Sequence, residues 1–163
     1  PNSEIDDWIK IIKNKGEKNI VLWGISMGAS TITKAVKDYK LEPQKVILEM
    51  PFGTIEDAVE GRVKMMGLPA QPVSVLLTFW GGAEHGFWAF GMKPQEYAKK
   101  ITCPTLLQWG ANDLRVSRAE EDILFANLAT ASKKFVVYDN CVHESLCKKE
   151  NKKWMDEVSN FLK

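Results

Sequence analysis

Among its 163 residues the chain has only two histidines and three cysteines. No apolar run approaches the length needed to span a bilayer. Three cysteines cannot all pair with one another. Cys103 falls just before one expected strand and Cys141 just after the next, at opposite ends of a parallel sheet and too far apart to bridge. Reduced, partly buried thiols fit a reducing compartment, so a cytoplasmic location is expected. No His-x-x-x-His or Cys-x-x-Cys pair is present, which leaves no metal motif. "GISMGAS" lacks the lysine of a phosphate-binding loop, and no cofactor is expected. An excess of either charge is missing too. A net charge of +1, with Lys and Glu mixed along the chain, points away from nucleic acid and from membrane surfaces.

What remains is an ordinary globular composition, 45% apolar and 26% charged, in one domain's length of chain. Residues 1–163 therefore read as a single domain. Ser3, followed by Asp6, Asp7 and the apolar Trp8, Ile9, Ile11 and Ile12, predicts a capped amphipathic helix ending near Gly16. Four strand–helix units follow. Their strands are Lys18 to Trp23, "KVILEM" from Lys45, "CPTLLQWG" from Cys103, and "KKFVVYD" from Lys133. Thr54 is placed to cap a helix running to about Met66, Pro94 to open a short one, and Ser117 to cap another. Residues Gly67 to Gly91 read as irregular. This alternation predicts an α/β fold, a parallel sheet with helices on both faces. Functional groups on such a sheet gather at the carboxyl ends of the strands.

Those ends carry a pattern. Ile20, Val21, Leu22 and Trp23 read as a strand buried on both faces, and they run straight into "GISMGAS". Met27 to Tyr39 then reads at helical spacing, so Ser26 sits on a tight strand-to-helix turn. Gly24 and Gly28 are expected to omit side chains where the two backbones pass closely. Asn112 and Asp113 follow the third strand, and His143 follows the fourth. A serine hydroxyl is a poor nucleophile until an imidazole takes its proton, and the imidazole needs a carboxylate to hold its tautomer. Asp113 is the expected acid, with Glu49 at the end of the second strand as its rival. Met27 N–H, at the start of a helix, is an expected oxyanion donor. Ser26 read alone is equally a helix cap, His143 a surface histidine, and Cys141 a packing thiol.

"GISMGA", "CPTLLQWGANDLRVS" and "DNCVHES" together resemble the nucleophile, acid and histidine segments of the C-terminal part of an α/β-hydrolase. The combination of "PFGT" after the second strand with "AKKITCPTLLQWGAND" further on most resembles the serine peptidase and esterase-like members. The resemblance implies a partial α/β-hydrolase fold and a cap insertion at about residues 67–93, rich in aromatics. Trp80, Phe87 and Trp88 are the substrate-binding candidates there, while packing of these rings onto the body remains equally open. His85 reads as structural or as part of the cover. The implied activity is a serine hydrolase acting on a small acyl substrate. The alternatives are a peptidase on short peptides and a non-catalytic remnant. Two departures stand out. Val142 precedes His143 where the family usually has glycine, and the family's strands before the nucleophile strand, with their second oxyanion donor, have no counterpart. The first strand would then be an apolar edge, covered by further chain or paired in a homodimer.

Overall fold

The computed structural model describes residues 2–84 and 89–163. Strands β1 (Val21–Ile25), β2 (Lys45–Glu49), β3 (Thr105–Gly110) and β4 (Lys133–Tyr138) form one parallel sheet in that order. Ile25, Glu49, Gln108 and Val136 lie side by side across it, so all four carboxyl ends share one rim. Among the described residues eight α-helices connect and flank the strands: α1 (Asn2–Asn14), α2 (Met27–Tyr39), α3 (Ile55–Met65), α4 (Ala70–Glu84), α5 (Pro94–Tyr97), α6 (Arg118–Asn127), α7 (Leu146–Lys149) and α8 (Asn151–Leu162).

Strand alternation divides the core in two. Val46, Leu48 and Leu107 face Ala29, Ile32 and Val36 of α2 and Leu124 of α6. Ile47, Leu106 and Val136 face Leu146 of α7 and Trp154 and Val158 of α8. The capping signals act as expected: Thr54 accepts from Asp57 N–H at 3.1 Å, and Ser117 with Glu120 forms a capping box on α6. At the amino end the outcome differs. The first helix begins at Asn2, so Ser3 lies inside it, and the left-handed Gly16 follows its last turn. No helix among the described residues is long and apolar enough to cross a membrane.

Three expectations are corrected. β1 is not buried on both faces: Val21, Trp23 and Ile25 are exposed on the side that α8 covers for the other strands. α8 meets β1 through the tilted contact of Trp154 with Trp23, ring centroids 5.5 Å apart. The stretch expected to be irregular contains α4, interrupted by non-helical backbone at Gln71 and packed against α3. Finally, only Gly24 of the two flanking glycines is sterically required. A Cβ there would lie 2.6 to 2.8 Å from backbone atoms of Gly28 and Ala29, whereas one on Gly28 would meet open space.

Candidate active site

The rim of the sheet brings one loop from each of β1, β3 and β4 together. Ser26 takes φ 51° and ψ −115°, a conformation that L-residues rarely adopt. Its N–H donates to Glu49 O at 2.7 Å, which pins the turn to the end of β2. Although Ser26 occupies the N-cap position of α2, its hydroxyl makes no capping bond. Instead Ser26 Oγ lies 2.8 Å from His143 Nε2. On the other side of the ring, His143 Nδ1 lies 2.6 Å from Asp113 Oδ2.

Asp113 is held from every side. Its Oδ1 accepts from the backbone N–H of Arg115 at 2.7 Å and of Val116 at 3.1 Å, leaving Oδ2 for the imidazole. The acid loop is stitched to the histidine loop by Asn112 N–H donating to Cys141 O at 3.0 Å and Ala111 N–H donating to Tyr138 O at 2.9 Å. Gly110 permits this approach: a Cβ there would sit 2.6 Å from Cys141 O and 2.8 Å from Val142 O. Closeness to the histidine loop is thus secured by a glycine in the acid loop, while the Val142 side chain turns outward to solvent.

The rival acid has a different task. Glu49 is buried on the α8 face, where one carboxylate oxygen accepts from Trp154 Nε1 at 2.7 Å and Trp23 Nε1 at 2.9 Å. Gln108 Nε2 lies 3.4 Å from the same oxygen, and Tyr138 donates its hydroxyl to Gln108 Oε1. Burial raises the Glu49 pKa and the two indole donors only partly offset it. The histidine partner is Asp113, not Glu49.

Cys141 is buried among Tyr138, Leu146 and Trp154, and burial, with the Glu150 charge second, pushes its thiol up to about 11. It packs in that cluster, and burial disfavours its thiolate form. None of the three cysteines is paired.

Ser26 and His143 open onto a small cleft of about 50 Å³. Its wall is apolar, from Phe52, Ile55 and Val59, and its rim carries Arg62 and Arg115. Met27 also lines it; as the first residue of α2, its N–H has no acceptor within the helix. Trp80 lies elsewhere, two-thirds exposed on α4 with its ring against Phe79. Phe87, Trp88 and His85 fall outside the described residues. A larger hollow of about 550 Å³ along α8 is an open, charged surface that holds none of these groups.

The cleft residues of α3 were not singled out from the sequence, yet a signal was there. Ile55, Val59 and Arg62 recur at helical spacing just past the Thr54 cap, on a helix that starts at the functional rim. Buried Glu121, whose two carboxylate oxygens both lack a hydrogen-bond partner among the described residues, carried no such signal.

No protein-family model matches the sequence, and no curated protein matches it significantly. Solved structures do match in fold. An esterase of Pyrococcus furiosus superposes with a TM-score of 0.75 at 19% identity, over 98% of this chain and 59% of that one. A monoacylglycerol lipase of Paleococcus ferrophilus gives 0.65 at 18%, over 99% and 73%. A bromoperoxidase of Bacillus anthracis gives 0.63 at 16%, over 96% and 71%. The chain thus has the α/β-hydrolase fold in part, spanning less than two thirds of the esterase's length. Proteins of different named activities share that fold, so the reaction must be argued from the site.

Proposed function

We propose that the chain carries the reactive centre of a serine hydrolase that cleaves carboxylic esters. The observation that carries this reading is the unbroken Ser26–His143–Asp113 chain, with contacts of 2.8 and 2.6 Å on either side of one imidazole. In this reading Ser26 Oγ attacks the ester carbonyl carbon while His143 Nε2 takes the hydroxyl proton. Asp113 holds the Nδ1–H tautomer and stabilises the imidazolium that forms. Met27 N–H faces the developing oxyanion. The tetrahedral intermediate collapses, His143 returns the proton to the departing alcohol, and an acyl-Ser26 ester remains. Water, deprotonated by His143, then releases the acid and restores the serine.

The absence of a capping bond from Ser26 supports this role over that of a helix cap. So does its positive φ, strain that a cap does not require. A short acyl group suits the small cleft. The test is labelling with a fluorophosphonate probe, together with hydrolysis of para-nitrophenyl acetate. Labelling at Ser26 that is lost in Ser26→Ala and strongly reduced in His143→Ala is expected. Folded protein that the probe leaves unmodified would overturn the reading.

A further inference from the structure

Arginine is scarce in this chain. Of the 22 basic residues only three are arginines, Arg62, Arg115 and Arg118, and two of them line the cleft that holds Ser26 and His143. Arg118 is engaged elsewhere, paired with Asp122 at 2.8 Å and lying over the Phe135 ring. By contrast, the guanidinium groups of Arg62 and Arg115 have no hydrogen-bond or ion-pair partner among the described residues. The two residues line the cleft from separate elements, Arg62 from the last turn of α3 and Arg115 from the loop that carries Asp113. Among the described residues no carboxylate and no lysine lines the cleft. The backbone fixes both positions. Arg115 N–H donates to Asp113 Oδ1 at 2.7 Å, and Gly61, next to Arg62, lies so close to Arg115 that a Cβ on it would stand 2.8 Å from Arg115 O. α3 and the acid loop therefore touch just where the two arginines are.

A neutral ester makes no use of such an arrangement. Guanidinium groups present their donors as a planar fork that matches a carboxylate or a phosphate, which a lysine does not. We propose that the preferred ester carries a carboxylate, or an anion of like charge and shape, a few bonds from the scissile carbonyl and held by Arg62 and Arg115. This substrate class rests on the serine hydrolase reading and narrows it. The anion can belong to the acyl part or to the alcohol part, and the same chemistry recognises both.

Two matched pairs of esters separate these sources. On the acyl side, the mono-para-nitrophenyl ester of adipic acid is compared with para-nitrophenyl hexanoate. On the alcohol side, para-acetoxybenzoate is compared with para-cresyl acetate. The readout is the ratio of kcat/KM, anionic over neutral, within each protein sample, so a change in folded fraction cancels. In the unmodified protein at least one ratio is expected to reach roughly tenfold, the scale of a charge-assisted pair at a partly exposed site. Added salt should reduce it. Arg62→Ala/Arg115→Ala should bring that ratio to about one, and the double change to lysine should restore part of it. A ratio near one in the unmodified protein, or one that survives the double alanine change, would overturn the proposal while leaving the hydrolase reading intact. If neither ester of either pair is cleaved, calorimetric titration with para-acetoxybenzoate decides. Binding that needs both arginines upholds the anion site and refutes hydrolysis, whereas no binding refutes both.

Discussion

β1 and β3 are written in the same alphabet and end in very different places. "VLWGI" and "TLLQWG" are both apolar runs closing on a glycine turn, yet every residue of β3 is buried while β1 alternates between exposed and half-buried. β3 has a neighbour on either side and helices on both faces; among the described residues β1 pairs only with β2, and Val21, Trp23 and Ile25 look past the edge of α8. Each strand nevertheless delivers one member of the site, β1 the serine and β3 the aspartate. A serine held against an imidazole here does not need a strand buried on both faces. It needs a turn whose backbone is locked, and Ser26 N–H to Glu49 O together with the close packing of Gly24 on Gly28 provides that lock.

The largest expected effect separates what the two strand ends do. Ser26→Ala should lower ester hydrolysis on the order of 10⁴-fold or more, read as kcat on para-nitrophenyl acetate, with little change in urea midpoint. Leu107→Ala, in the middle of β3 and fully buried, should do the reverse: about 2–5 kcal/mol lost in urea unfolding, with the folded fraction still reactive to the fluorophosphonate. Gly24→Ala and Gly110→Ala form a matched pair at the two strands. Each forces a Cβ to within 2.6 Å of backbone that cannot give way, and each should cost about 1–3 kcal/mol. They should differ in consequence, because Gly24 supports the serine turn while Gly110 touches the histidine loop. Labelling and hydrolysis on one sample distinguish the two.

The pH dependence sharpens the β3 side further. Glu121 packs inward on α6, fully buried and without a hydrogen-bond partner among the described residues. Burial first, and then the neighbouring charges of Glu120 and Asp113, raise its pKa well above the ordinary glutamate range. The folded chain therefore keeps a proton that the unfolded chain releases. This costs stability as pH rises from the ordinary glutamate range through the raised value. Urea midpoints at about pH 5 and about pH 8 should show that fall, and Glu121→Gln should flatten it. Smallest of all, Val21→Thr on the open side of β1 should change stability by no more than about 0.5 kcal/mol. A loss several times larger would mean that in solution this edge is covered, and a solution mass would then tell whether a second copy covers it.

Much of the site was legible because its chemistry is tied to local geometry. The serine follows a strand and opens a helix, and Gly110 to Asp113 makes the sharp turn that an acid loop needs. The histidine comes next past the final strand, and each of these signals lies within a few residues. Other features depended on contacts that no short window contains. α4 was hidden by the glycines and proline around its apolar residues, and it forms a helix packed on α3. The exposure of β1 depends on how far α8 reaches across the sheet. The arginine pair depends on α3 meeting the acid loop at Gly61.

The order of the four strands, the Thr54 and Ser117 caps, and the serine, aspartate and histidine that meet at the rim were readable from the chain alone. Periodicity, turn chemistry and proton-transfer chemistry are properties of short segments. Tertiary structure decided between the two acids. Glu49 and Asp113 both close a strand, but the strand's alternation turns Glu49 down onto Trp23 and Trp154, while the loop after Gly110 lifts Asp113 over the rim to His143. Side-chain direction at a strand end depends on register and on the packed neighbours, and those exist only once the sheet has formed.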